Sequence, residues 1–246
     1  MAPGIPDDDV ATRLARVRDR IAAAERAADR APGSVRLVLA SKAQPVELVR
    51  AALRAARGLG LPMVLGENRV QEVAAKAPAL ADLAPTIHFI GPLQSNKVAT
   101  LVPWVECVET VASVELARRL DRRAAATGRR LDVMVQVNVS GEDTKHGTAP
   151  DEALALTVAV ATLPALRLTG LMTVGLNSPD LGAVAAGYAA LRTLRDAVVA
   201  SGEPGTATAT GLSMGMSGDL EVAVAEGATL VRVGSAVFGT RPSPAA

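Results

Sequence analysis

Short apolar runs alternate with longer amphipathic ones along almost the whole chain. Eight of the runs have the length and composition of buried strands: RLVLAS (36–41), PMVLGE (62–67), IHFIGP (87–92), VECVET (105–110), LDVMVQVNV (131–139), LRLTGLMTV (166–174), GLSMGM (211–216) and ATLVRVG (228–234). Between them lie stretches with helical spacing, among them PVELVRAALRAAR, NRVQEVAAKA, QSNKVATLV, SVELARRLDRRAAAT and PDLGAVAAGYAALRTLRDAVVA. Eight β/α units predict a (β/α)8 TIM barrel, an α/β fold for which an open doubly wound sheet is the competing architecture. Ahead of the first strand, residues 1–31 predict one further helix packed on the barrel. Val10, Leu14, Val17 and Ile21 recur at helical spacing behind the acidic triplet at 7–9, and Pro32-Gly33 ends the element.

Composition narrows the field. A chain of 246 residues, 49% hydrophobic, suits one domain spanning 1–246. Lys+Arg 26 against Asp+Glu 25 leaves a net charge of +1, and aromatic residues make up only 2%. Neither electrostatic attraction nor base stacking is provided for, so nucleic acid is not an expected partner. One cysteine, Cys107, and two histidines, His88 and His146, make poor material for a zinc site and cannot form an internal disulfide. No signal peptide or membrane span is evident, and a cytoplasmic location away from membranes is expected.

Candidate chemistry begins in LVLASK (37–42), where a strand ends in a lysine. Alternation puts Val38, Ala40 and Lys42 on one face. If that face is the lumen, Lys42 stands at the barrel mouth. A lysine there is either solvated past the strand end or, partly desolvated beside another cation, able to form a Schiff base with a carbonyl. Arg232 sits between two valines of LVRVG (230–234) in the last strand. A buried guanidinium needs a partner, and closure of a barrel sets the eighth strand beside the first. SMGMSGD (213–219) and VGSAVFG (233–239) then follow the two late strands. Loops in those positions often hold phosphate, with Ser217, Gly234 and Ser235 the natural donors here. A Schiff-base lysine, a buried arginine and a phosphate cup together describe a site for pyridoxal 5′-phosphate (PLP), with the arginine at the pyridine nitrogen. A cation there keeps that nitrogen unprotonated and weakens the ring as an electron sink.

Other polar positions carry two readings each. Asn68 is placed either to meet a ligand near Lys42 or to cap the next helix. His88 reads as a core histidine. Lys145, in VSGEDTKHG (139–147), is a surface lysine or one that reaches the mouth.

At these residues the chain resembles the PLP homeostasis proteins of the YggS/PROSC type. The motifs are ASK (40–42), GENRVQE (66–72), HFIGPLQSNK (88–97), VNVSGEDTKHG (137–147), GLMTV (170–174), LSMGMSGD (212–219) and VRVGSAVFGTR (231–241). The resemblance implies the barrel fold of the alanine racemase N-terminal domain without that enzyme's second, β-rich domain. It implies PLP held as an aldimine on Lys42, phosphate contacts from Ser217, Gly234 and Ser235, and Arg232 near the ring nitrogen. It also places Asn68 near the cofactor and marks Lys145 as a secondary PLP-binding or transfer position. The chain departs from the family pattern at Leu65 and Arg69, where aromatics are common, at Gln44 in place of a second lysine, and at Ser235 in place of threonine. The implied role is PLP buffering or delivery to apo-enzymes by a monomer without established catalysis. The alternative is a low-activity PLP-dependent amino-acid racemase. Against it, the only tyrosine, Tyr188, falls mid-helix and is a poor opposing base.

Overall fold

The computed structural model describes residues 7–142 and 145–239; Asp143, Thr144, Thr240 and Arg241, which belong to two of the motifs above, lie outside them. Each apolar run contains a strand: β1 (Arg36–Ala40), β2 (Met63–Glu67), β3 (Ile87–Phe89), β4 (Cys107–Val111), β5 (Leu131–Gln136), β6 (Leu166–Met172), β7 (Gly211–Ser213) and β8 (Leu230–Val233). They pair in parallel in chain order, and β8 closes on β1. Most strands stop short of their apolar runs, because the last residues of each run leave the ladder to build the loops at the mouth. β4 starts late for a different reason. The chain is still emerging from a 3-10 turn at Val102–Trp104, where Pro103 stops helix growth.

The helices are α1 (Asp7–Ala27), α2 (Val46–Gly58), α3 (Val70–Ala79), α4 (Val98–Leu101), α5 (Val114–Ala126), α6 (Ala153–Ala161), α7 (Leu181–Ala200), α8 (Leu220–Ala225) and α9 (Ser235–Phe238). Where a helix was expected over QSNKVATLV, α4 is a single turn between two 3-10 turns. Side-chain caps fix two of the longer helices: the Ser113 hydroxyl accepts the Leu116 N–H at α5, and the Asp180 carboxylate accepts those of Gly182 and Ala183 at α7.

Strand alternation divides the apolar residues into two layers. Leu37, Leu39, Leu65, Phe89, Val108 and Val133 point outward and join the large core under the helices. Val38, Val64, Ile90, Cys107, Met134, Met172 and Leu230 fill the lumen, with Ala40 and Val174 packed against them. The barrel is therefore a packed core with a mouth at its C-terminal end. Among the described residues no helix is long and apolar enough to cross a membrane.

The stripe predicted for the first helix is real. Val10, Leu14, Val17 and Ile21 are buried, and α1 packs on α2, α8 and α9, the helices around the β8–β1 seam. Polar ties reinforce the docking: Arg20 forms a bidentate pair with Glu221, and Arg30 donates to the carbonyls of Val224 and Ala228. Truncating the centre of the stripe should leave a cavity that the rigid barrel cannot fill. Leu14→Ala is expected to lower stability by about 3 kcal/mol, read as a reduced urea midpoint at unchanged slope.

Candidate functional site

Closure of β8 on β1 sets the site. Val38 lies opposite Arg232 in the register, and the inward face of β1 continues from Val38 through Ala40 toward Lys42. Lys42 therefore stands four residues further up the barrel than Arg232, about 13 Å along an extended chain. It is half-buried, and among the described residues its ammonium makes no hydrogen bond or ion pair. It lines a cavity of about 450 Å³ with Ala40, Gln44, Asn68, Gly234, Ser235 and Phe238. That volume is of the size that takes a small cofactor.

Two close backbone approaches shape this cavity. A β-carbon at Gly234 would come within 2.9 Å of the Ala40 carbonyl oxygen, so glycine lets the end of β8 lie against the end of β1. A β-carbon at Gly91 would collide with the Asn68 carbonyl, and the Thr110 hydroxyl donates to the Gly91 carbonyl at 2.7 Å. The glycine of HFIGPLQ is thus what lets the loop after β3 seat against Asn68. Of the two readings of Asn68, capping falls away: the N-cap of α3 is Arg69, and no side chain caps that helix. Asn68 instead stands between the Lys42 cavity and a neighbour of about 400 Å³ lined by Gln94, Lys97 and His146.

The loops after β7 and β8 meet. The Ser235 hydroxyl, at the start of α9, donates to that of Ser217, after β7, at 3.4 Å. The β7 loop is braced on two sides. Asp219 accepts the Met216 N–H at 2.5 Å and the Tyr188 hydroxyl at 2.7 Å, while Arg20 donates to the Ser217 carbonyl at 3.1 Å. Tyr188 is fully buried, and burial together with Asp219 pushes its phenol well above its ordinary range. It is a neutral structural donor away from the Lys42 cavity.

Arg232 lies in the lumen at 7% exposure. Its guanidinium donates to the Ser213 hydroxyl at 2.9 Å and to the Thr173 carbonyl at 2.6 Å. Ser213 passes its own proton toward Glu109 at 2.6 Å, and the other oxygen of Glu109 lies 2.6 Å from His88 Nδ1. Burial pushes the Glu109 carboxyl up, but His88, Ser213 and the Arg232 charge outweigh it and hold the group below its ordinary range. An ionised carboxylate only accepts, so His88 Nδ1 carries the proton in this pair. His88 is a core histidine with a partner. Burial lowers Arg232 and Glu109 opposes that shift. Glu109 is the counter-charge that the sequence reading required but did not name.

Lys145 is placed apart. It donates to Glu142 at 2.7 Å and to the Gly175 carbonyl at 2.9 Å, and it does not line the Lys42 cavity. A further cavity of about 580 Å³ opens at the opposite end of the barrel, lined by Arg36, His88, Asp132 and Arg167 among others, and shares no residue with the one at Lys42. A second buried charge cluster, Glu67 with Lys76, lies behind β1 and β2 and was also missed. Its signal was there: Lys76 falls on the same stripe of α3 as Val73 and Ala77.

The family model for the alanine racemase N-terminal domain matches residues 13–242. The chain is 43% identical over 232 residues to the pyridoxal phosphate homeostasis protein of Pseudomonas aeruginosa, covering 94% of this chain and 96% of that one. The chain belongs to the pyridoxal phosphate homeostasis protein family. The Escherichia coli K12 member is 35% identical over 244 residues, 95% of this chain and 97% of its own. Among solved structures, PipY of Synechococcus elongatus PCC7942, with PLP bound, superposes with a TM-score of 0.79 at 35% identity over 94% of this chain and all of its own. Alanine racemase from Corynebacterium glutamicum shares the fold, with a TM-score of 0.69 at 18% identity, covering 99% of this chain and 64% of that one.

The lumen network generates a test of its own. Glu109→Gln removes a buried charge and leaves Arg232 without compensation, which should cost about 3 kcal/mol near neutrality. Because the folded state lowers the Glu109 pKa, its contribution is complete above the ordinary value of 4.5 and is lost as pH falls through the folded value. Urea denaturation should therefore show the gap between wild type and Glu109→Gln narrowing as pH falls below 4.5 toward the folded value.

Proposed function

We propose that this chain holds PLP reversibly on Lys42 and serves PLP homeostasis, by buffering the free cofactor or delivering it to apo-enzymes. The observation that carries the reading is that Lys42, whose ammonium has no partner among the described residues, shares one cavity of cofactor size with Gly234 and Ser235, and that the Ser235 hydroxyl meets that of Ser217. The donor set fits the cofactor: an amine for the aldehyde, hydroxyl donors for the phosphate, and below them a guanidinium. When bound, PLP supplies an aldehyde that condenses with an amine to a C=N bond, releasing water.

The residues of the chain then have defined tasks. Lys42 supplies the amine. Ser217, Ser235 and the Gly234 backbone receive the phosphate, whose loop Asp219 and Tyr188 hold in shape. Asn68 contacts the cofactor from the β2 side of the cavity. Arg232 presents N–H donors and no acceptor, which keeps the pyridine nitrogen unprotonated. Lys145 is a secondary docking position, and to take up an aldehyde it must leave Glu142 and the Gly175 carbonyl. The chain acts as a monomer in the cytoplasm and turns over no substrate. A racemase needs a second acid or base opposite the lysine, and Tyr188 is committed to Asp219 in the core.

Two measurements test this. Adding PLP should give a visible absorption band that Lys42→Ala abolishes, and borohydride reduction followed by peptide mass spectrometry should place the adduct on Lys42. A band that survives Lys42→Ala would refute the assignment. Incubating the loaded protein with L-alanine in deuterated water should give no Cα exchange at enzyme-like rates; sustained exchange would favour the racemase reading.

A further inference from the structure

The turn that carries Lys42 is not self-supporting. Ala43 has φ of +59°, in the left-handed region that a β-carbon disfavours, and the backbone supplies one hydrogen bond within the turn, from Gln44 N–H to the Ser41 carbonyl at 3.0 Å, and one at its start, from Ser41 N–H to the Gly66 carbonyl at 3.1 Å. What holds it is a cluster on the outer side of β1 and β2, away from the cavity. The Ser41 hydroxyl donates to Glu67 Oε1, and the Ser41 carbonyl accepts from Lys76 Nζ at 2.8 Å. The Ala43 N–H donates to Glu72 Oε2 at 2.7 Å. Both neighbours of Lys42 are thus gripped by side chains from β2 and α3.

Lys76 is the centre of the grip. Its ammonium reaches the Ser41 carbonyl, Glu67 Oε1 at 2.9 Å and Glu72 Oε2 at 3.1 Å, which uses all three of its protons. It is 6% exposed and Glu67 1%. Glu67 Oε2 is buried without a hydrogen bond, and burial raises the Glu67 pKa against the pull of Ser41 and Lys76. A buried lysine shared by two carboxylates is a poor device for stability alone, since apolar replacements of such clusters are often neutral or better. The cluster does something that an apolar plug cannot: it presents a directed donor to the backbone on one side of Lys42 and a directed acceptor on the other.

We propose that Lys76, acting through Glu67 and Glu72, is a positioning residue that fixes the Ser41–Ala43 backbone so that the Lys42 amine is aimed into the cavity. This rests on the assignment of Lys42 as the PLP-binding amine. Lys76 touches neither the cavity nor the cofactor's place in it. An arginine should not rescue it, because a planar fork cannot meet three acceptors arranged around a single nitrogen.

The test has two arms, run on wild type, Lys76→Met, Lys76→Arg and Glu72→Ala. The last removes a partly exposed side chain and keeps a folded control if the core variants fail. Without added PLP, hydrogen exchange at the Ala43 amide should be slow in wild type and faster by about tenfold or more in each variant, the scale of losing one charge-assisted hydrogen bond. With PLP, the Kd should rise and the Lys42-dependent band should form more slowly, again by about tenfold, in variants whose thermal midpoints stay near wild type. Unchanged Ala43 exchange, or faster exchange with Kd and band formation within about twofold of wild type in folded variants, would overturn the proposal. If wild type itself gives no band that depends on Lys42, it is the cofactor assignment that fails, and the exchange arm still decides whether the clamp exists.

Discussion

An arginine enclosed in the lumen of a closed barrel cannot shed its charge, and the way Arg232 is compensated organises the rest of the molecule. The chain of contacts from Arg232 through Ser213 and Glu109 to His88 joins β8, β7, β4 and β3, and the bond from Arg232 to the Thr173 carbonyl adds the end of β6. Five of the eight strands are thus linked by polar contacts inside an otherwise apolar barrel. Each member is hydrogen-bonded, the condition under which a buried network gives rigidity instead of a penalty. The cation itself lies in the lumen at the level of Val38, below the mouth.

At the mouth the chain brings together candidate site residues from places distant in sequence. Lys42 follows the first strand, Asn68 follows the second, and Ser217, Gly234 and Ser235 follow the last two. Only closure of β8 on β1 makes neighbours of the two ends of this list. Close approaches at Gly91 and Gly234 remove the side-chain thickness that would keep the loops apart. The same packing commits the only tyrosine of the chain, Tyr188, to Asp219, which in turn braces the loop after β7.

Most of the barrel was legible in the sequence because each strand is flanked by helices and reads as an apolar run, whatever its neighbours are. The stripe of α1 and the inward face of Val38, Ala40 and Lys42 followed from periodicity alone. Strand ends were less legible, since Ser41 and Val137 fall just past the ends of β1 and β5 with nothing in their side chains to mark the change. The charged interior was least legible. Glu109 in VECVET and Glu67 in PMVLGE look like tolerated strand polars until the fold brings Ser213 and Arg232 to one and Ser41 and Lys76 to the other. Such pairings depend on inter-strand register, which a single sequence does not display.

The central claim is that Lys42 and the late loops hold one PLP molecule in the mouth of the barrel. A crystal structure of the protein grown with PLP tests it most directly. The account predicts continuous density from Lys42 Nζ into the cavity lined by Asn68 and Gly234, a phosphate against Ser217 and Ser235, and the pyridine nitrogen toward Arg232. PLP bound only elsewhere, at Lys145 or at the opposite end of the barrel, with the Lys42 amine free, would contradict it.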